Sequence, residues 1–429
     1  MSSSEFGVSP DTSLEDMASE ALPTAPAQSA LPVELSKLFA WHRPRKQRVR
    51  RGQWAQLSKQ HLERLKQRGQ LESRQIMLNG LPHVEPAEVR YLTLPGLDFL
   101  DVRIIAEEVR QKGMTLTTIG FLGEAAQARH MARANVRHEG LIQAGWISDR
   151  SLTLPRPLES ICGLNSDSLA ELRRQAPFHI VNIDACGSIA PRSALHSSRL
   201  IEAIHRLVEL QIEQANHRWL FFLTIDVRDD DMDAATFDQI CEAIRQNAAH
   251  SEDFKAAATE LFEPGADDFE TAMSGARASQ GRGVLDVFAL GFSKWLLHLA
   301  QAKQWSVKLK QSHCYATHGG HAAPPSMCSL AFEFMPPPRG LVDPNRASRL
   351  QPAPGGPVED PSMQIARAAA DIDDLDALFA GDDALTAAMN SETYAMLVEA
   401  GYEADALKAL SDNGSGSLRR YPDMPNEPA

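Results

Sequence analysis

The chain has 429 residues, of which 43% are hydrophobic and 23% are charged, and its formal net charge at pH 7 is −13. We expect one main domain with disordered ends, because this hydrophobic content is ample for a core. The five cysteines are scattered and odd in number, which argues against a disulfide framework and favours a reducing compartment. No signal-peptide core and no uninterrupted apolar run of membrane-spanning length is evident, so we expect a cytoplasmic, soluble protein without a membrane partner.

The charge is spread unevenly along the chain. Residues 41–70 carry ten Lys or Arg and one acid, whereas residues 351–429 carry 15 acids and four Lys or Arg. Composition and pattern predict four parts: a disordered N-terminus over 1–30, a basic helical arm over 31–85, an α/β domain over 86–336, and a Pro-rich linker with an acidic tail over 337–429. Within the arm, Leu57, Leu62, Leu65 and Leu71 have roughly helical spacing.

Strand and helix patterns alternate from residue 88 onward, which is typical of a parallel sheet covered on both faces. We predict strands at 89–94, 116–122, 151–154, 179–184 and 219–227. Helices are predicted at 98–111, 124–143, 166–175, 192–216, 234–249 and 284–301. A polar segment ending at residue 283 has the character of an insertion, and two β-rich runs, at 305–310 and 329–334, predict a closing hairpin.

One stretch, RYLTLPGLDFLD at residues 90–101, has the pattern of a strand that ends in a tight Pro-Gly turn and enters a helix. A second strand follows and ends near Glu124. This layout resembles class I S-adenosylmethionine-dependent methyltransferases, whose fold is Rossmann-like, with a mostly parallel sheet and a last strand inserted antiparallel. The resemblance implies an S-adenosylmethionine site at Pro95, Gly96 and Asp98, with Glu124 on the ribose hydroxyls. The family pattern has two or three glycines where this chain has one.

The fourth predicted strand ends in HIVNIDACGS, residues 179–188. In methyltransferases this strand end faces the substrate, so the resemblance makes Asp184 and Asn182 the candidate catalytic residues, which would orient a nucleophilic amine. The chain departs here from the Asp/Asn-Pro-Pro-aromatic pattern of amino-directed DNA methyltransferases. Cys186 also lacks the preceding proline of cytosine C5 enzymes, and a small buried cysteine is the alternative. The passage IDACGSIAP is similar to bacterial three-Cys-motif partner proteins.

Two further clusters carry possible metal ligands. Three consecutive acids, Asp229 to Asp231, follow the fifth strand, and a solvated loop is the alternative to a divalent-ion site. A loop before the last strand contains five N or S ligands, which could wrap one zinc ion or belong to an ordinary hairpin loop: His313, Cys314, His318, His321 and Cys328. The spacing matches no paired zinc knuckle, so no metal is assigned.

The basic arm is a candidate nucleic-acid interface. Its cations, flanked by Trp41 and Trp54, could neutralise phosphates while a ring stacks on a base. These cations are Arg43, Arg45, Lys46, Arg48, Arg50 and Arg51. A solvated helix and an arm docked on the protein's own acidic tail are the alternatives. In that tail, DIDDLDALF places Ile372, Leu375, Leu378 and Phe379 on one helix face, which suits a protein partner's groove or a solvated tail.

Two functions fit these patterns. The first is an enzyme that transfers a methyl group from S-adenosylmethionine to nucleic acid, with the arm holding the polymer. The second is a methyltransferase-like scaffold without catalysis, part of a multi-protein assembly. The missing glycines and the absent catalytic tetrapeptide favour the scaffold, and the strand order favours the enzyme.

Overall fold

The computed structural model describes residues 43–78, 81–123, 128–163, 165–185, 187–191, 199–228, 232–279, 281–317, 323–337, 360–402 and 404. Its first elements are helical, as the leucine spacing of the arm predicted. Helix α1 (Arg43–Arg48) continues through a π-helical stretch (Val49–Ala55) into α2 (Gln56–Gln67). The leucines of α2 lie on its buried face, so this face anchors the arm to the domain.

An antiparallel hairpin follows the arm and was not among the predicted elements. Its strands are β1 (Arg74–Leu78) and β2 (Leu81–Glu85). The joining residues in the sequence are Asn79 and Gly80, a dipeptide that strongly favours two-residue hairpin turns. The prediction of a wholly helical arm up to residue 85 is therefore wrong over these strands.

The α/β alternation is confirmed from residue 88 to residue 226. The elements are β3 (Glu88–Thr93), α3 (Leu100–Gln111), β4 (Thr115–Phe121), α4 (Ala128–Gln143), β5 (Leu152–Leu154), α5 (Asp167–Gln175), β6 (Ile180–Asp184), α6 (Leu200–Gln214) and β7 (Trp219–Asp226). Helix α3 begins two residues after its predicted start, because Phe99 adopts a left-handed backbone conformation. Helix α6 begins at Leu200, well after the predicted start at residue 192, and Arg199 before it is extended.

The segment between β7 and the closing hairpin is helical throughout most of its length. It contains α7 (Ala234–His250), α8 (Glu252–Phe262), α9 (Phe269–Ala278) and α10 (Arg282–Gln301). The first three begin at side-chain caps, which satisfy free amide groups at each start: Asp233, Ser251 and Asp268. The predicted polar insertion thus consists largely of α8 and α9, which pack on α10.

Helix α10 is long and apolar enough to cross a membrane by length and composition. Most of its apolar stretch is buried inside the protein, as in the core helix of a soluble fold. Helices α10 and α7 approach each other closely at Gly291, where an added Cβ would lie 2.6 Å from the backbone oxygen of Ile240 in α7. This helix is therefore a packing centre of the domain.

The last elements complete the sheet and then cover it. They are β8 (Ser306–Leu309), β9 (His313–Tyr315), β10 (Met327–Met335), α11 (Pro361–Ala370), β11 (Asp373–Asp374), α12 (Leu375–Ala380) and α13 (Asp383–Glu399). The described part of the acidic tail is thus folded. Its apolar residues Leu375 and Phe379 are buried in the protein's own core, while Leu378 is exposed.

The main sheet has the order β11-β9-β10-β7-β6-β3-β4-β5, with β8 also paired to β10. Strands β3 to β7 are parallel to one another, and β10 lies antiparallel beside β7. Helices cover both faces, and alternate strand residues contribute to two separate apolar clusters, as the period of two requires. The Rossmann-like fold and its antiparallel closing strand are confirmed.

Candidate functional site

The Pro-Gly turn after β3 holds the first two strands together. Pro95 is buried against β4, where a Cβ added to Gly120 would lie 2.7 Å from the Pro95 ring. Gly96 is exposed, and its carbonyl accepts a hydrogen bond from the amide of Phe99 at 3.0 Å. Of these two predicted cofactor residues, Pro95 thus packs against the neighbouring strand. Gly96 faces open space.

Asp98, the third predicted cofactor residue, is buried under the C-terminal tail. The Tyr402 hydroxyl donates to its carboxylate, at 2.9 and 3.0 Å from the two oxygens. Arg133 and Arg137 of α4 also contact one carboxylate oxygen, at 3.1 and 2.5 Å, and both guanidinium groups lie over the Tyr402 ring. Burial raises the pKa of Asp98, and the arginines oppose that rise. Three side chains of the same chain thus contact this carboxylate.

A buried polar network lies beneath the turn and centres on Asp101. Its carboxylate accepts hydrogen bonds from the Tyr91 hydroxyl at 2.9 Å and the Thr93 hydroxyl at 2.5 Å. Asn182, a predicted catalytic residue, donates to the Tyr91 oxygen at 3.0 Å. Burial raises the pKa of Asp101, and the two hydroxyl donors oppose that effect. Sequence reasoning gave Asp101 no role, although it ends the stretch RYLTLPGLDFLD.

The other predicted catalytic residue, Asp184, forms an ion pair with Lys46 of the basic arm. The Lys46 side chain is 6% exposed and that of Asp184 is 14% exposed, so the pair is largely removed from solvent. The ammonium group of Lys46 also lies 5.2 Å from the centre of the Trp54 ring. The end of β6 is therefore covered by the arm rather than presented to a substrate.

The arm and the acidic tail bind each other over this edge of the sheet, and we call this contact the clasp. Arg45 forms an ion pair with Asp376, and their side chains are 1% and 5% exposed. Asp376 also accepts the backbone amide of Ala316 at 2.5 Å. Arg51 pairs with Glu392 of α13 at 3.1 Å and with Glu107 of α3 at 2.5 Å. The structure thus favours the docked-arm alternative.

The other residues predicted to bind nucleic acid or cofactor are not part of the clasp as the structure describes it. Arg48 and Arg50 are partly buried, and an Arg50 amino group donates to the Gln47 side chain at 3.4 Å. The side chain of Arg43 lies outside the description, as do Glu124, Cys186 and the acids at 229–231. The ribose-binding role of Glu124 therefore stays a prediction.

The metal-ligand candidates are dispersed in the described part of the chain. Cys314 and Cys328 are opposite each other on β9 and β10, and both are buried. His313 points away from them, and its ring lies 3.3 Å from a carboxylate oxygen of Asp373. His318 and His321 lie outside the described residues. Among the described side chains, no group of three or more His, Cys, Asp or Glu is placed to hold a metal ion.

Comparisons with known proteins give a family but little more. No curated protein matches the sequence. Among solved structures, an rRNA methylase from Streptococcus thermophilus shares 8% identity and a TM-score of 0.26, over 58% of this chain and 88% of that one. The Rossmann-like fold described above stands on its own strand order, not on this likeness. A family model described as PP_RS20740-like matches residues 35–411, most of the chain, and the protein belongs to that PP_RS20740-like family.

Proposed function

We propose that this protein is a methyltransferase-like scaffold without catalytic activity, and that the docked basic arm has replaced ligand binding at the carboxyl edge of its sheet. The observation that carries the proposal is the ion pair between Lys46 and Asp184. A carboxylate that must orient a substrate amine needs a free oxygen beside an open cleft. Here the chain's own ammonium group contacts that carboxylate, and the arm covers it.

The described cofactor residues fit S-adenosylmethionine poorly. Pro95 is buried against Gly120, and Asp98 already contacts two guanidinium groups and the hydroxyl of Tyr402. A ligand at Asp98 would have to displace Tyr402, which is 4% exposed. We therefore derive no methyl-transfer step through these residues.

The proposal is tested by cofactor-induced thermal stabilisation of the full chain. A ligand that binds the native state at about 100 times its dissociation constant adds about 2.7 kcal/mol of stability. We expect no rise in Tm with S-adenosylmethionine or its demethylated product, either for the natural chain or for Lys46→Met. Lys59→Met is the matched control, because Lys59 lies on the exposed side of the same arm. A rise in Tm for the natural chain would refute the scaffold proposal.

A second candidate is an enzyme that methylates nucleic acid once the basic arm moves away from the end of β6. The exposed Gly96 supports it, because the turn keeps open space next to its backbone. The clasp itself supports it as well, since Asp376 and Glu392 hold arm cations as the phosphates of a nucleic acid would. This candidate predicts a Tm rise that appears only in Lys46→Met, followed by methyl transfer to DNA or RNA.

The nucleic-acid part of the second candidate has its own measurement. We expect the natural chain to bind an oligonucleotide weakly, because Arg45 and Arg51 are paired with acids of the tail and domain. Glu392→Gln should strengthen binding and steepen its salt dependence, because it removes one of the two carboxylates that neutralise Arg51. Glu270→Gln is the control, since Glu270 pairs with an arginine far from the arm. Equal affinities for all three proteins would argue against the arm as a phosphate-binding element.

A further inference from the structure

The hairpin of β1 and β2 carries an unusual concentration of exposed apolar side chains. Met77 is 68% exposed, Leu81 is 70% exposed and Val84 is 57% exposed, and these are half of the exposed large hydrophobic residues in the described part of the chain. The two strands pack chiefly against each other. A two-stranded hairpin with exposed apolar side chains is marginally stable in water by itself, so a partner on this surface would stabilise it.

The hairpin is anchored at its base and extends outward from there. Leu71 and Ala87, on either side of it, are buried in the core of the domain. Five residues per strand reach about 16 Å. The apolar side chains occupy both faces, because Met77 and Val84 share one face and Leu81 lies on the other.

The two edges of the hairpin differ in their ability to accept another strand. Leu78 and Leu81 are opposite each other next to the two-residue connection, so this pair exchanges hydrogen bonds. The next pair, Met77 and Pro82, directs its backbone groups outward. Pro82 has no N–H to offer, which blocks the β2 edge in the way that natural edge strands are protected. The β1 edge has no proline, and no other strand of the described residues pairs with it.

We propose that the open edge of β1 pairs with β1 of a second copy of this chain, antiparallel, about a two-fold axis at Ile76. In that register Gln75 faces Met77 of the other copy, and both residues direct their backbone groups outward, so four backbone hydrogen bonds form. The register is self-complementary, as an isologous dimer requires. The two hairpins then form one four-stranded sheet.

The charge of the hairpin favours a second copy of the chain, rather than a nucleic acid, as its binding partner. Residues 74–85 contain one arginine and one glutamate, so the hairpin is neutral, whereas the whole chain has a net charge of −13. A nucleic-acid interface needs an excess of cations. A neutral apolar hairpin is also the part of this acidic protein where two copies approach with the least repulsion. This contact is small, so we expect a weak dimer with micromolar affinity.

Sedimentation velocity of the full chain tests the dimer. We expect a monomer–dimer equilibrium between about 1 and 100 µM. Met77→Lys places two like charges beside the axis and should raise the dissociation constant at least tenfold. Val84→Lys makes the same change on the same face, but on the strand away from the axis, and should leave the dissociation constant within about threefold. Monomers throughout, or equal weakening by the two substitutions, would overturn the proposal.

A cysteine pair tests the register without depending on affinity. Ile76 faces its own copy across the axis as a non-hydrogen-bonded pair, where Cβ atoms approach to about 5 Å. Ile76→Cys should therefore form an interchain disulfide under mild oxidation. Leu81→Cys is equally a hairpin cysteine but lies on β2, and it should not cross-link efficiently. Faster cross-linking at residue 81 than at residue 76 would show that the edge was assigned wrongly.

Discussion

Removing Asp376 should destabilise the protein strongly, because its partner Arg45 cannot lose its charge. The Arg45 side chain is 1% exposed, so solvent screens very little of the change. Breaking a buried ion pair from one side costs about 3–5 kcal/mol. Asp376→Leu also removes the acceptor of the Ala316 amide, which contributes about 1 kcal/mol within that range. We therefore expect a loss of about 4–5 kcal/mol.

The opposite substitution should cost less. In Arg45→Met the remaining carboxyl can take up a proton, and burial already raises the pKa of Asp376. The double variant should lie closest to the natural protein, since well-packed apolar residues of similar size often replace a buried pair without loss. The free energies of unfolding thus form a double-mutant cycle with a coupling energy of about 2 kcal/mol or more.

Urea unfolding followed by tryptophan fluorescence measures all four proteins of the cycle. The exposed pair of Arg277 and Asp238, at 2.5 Å, provides the matched cycle, and we expect a coupling of at most about 1 kcal/mol there. Single-substitution losses that add up to the loss of the double variant would refute the reasoning. So would a loss below about 1 kcal/mol for Asp376→Leu, because the charge would then not be buried in solution.

Two further predictions concern stability. The buried ring of His61 has its pKa lowered to about 3, mainly by burial and also by His217, so below pH 6.5 only the unfolded chain takes up this proton. Stability should fall as the pH drops from 6.5 towards 3, by up to about 1.4 kcal/mol per pH unit for this group. His61→Phe should remove the contribution of residue 61 to this pH dependence, whereas the exposed His250→Gln should keep it. Urea midpoints that change with pH identically in the natural chain and in His61→Phe would contradict this prediction. Gly291→Ala should cost about 1–3 kcal/mol because its Cβ meets the backbone of α7, and an unchanged Tm would exclude that contact.

The α/β domain was predictable because each of its elements has a local pattern. Buried strands such as Trp219–Asp226 are continuous apolar runs, and the helices between them have apolar residues at helical spacing. The hairpin was also predictable from Asn79-Gly80, but the surrounding cations led us to treat the whole segment as a helical arm. At this position the local turn signal determines the structure, and the basic composition around it does not.

The clasp had no comparable local signal. Arg45 and Asp376 are 331 residues apart, and nothing near either residue identifies its partner. Opposite charge along the chain predicted only that the two ends could attract each other. The same applies to Asp98 and Tyr402, whose contact spans 304 residues. Composition gives the sign of such an interaction, whereas the particular pairing depends on the folded sheet between the partners.

The clasp also has a consequence for biosynthesis. Arg45 leaves the ribosome early, whereas Asp376 is made 331 residues later, so the arm cannot complete its buried contacts until almost the whole chain has been synthesised. A product truncated before residue 376 would have a finished α/β domain, but its buried Arg45 guanidinium group would lack the Asp376 carboxylate. Such a product should be recognised by chaperones and proteases, so that the contact between the two ends reports whether translation was completed.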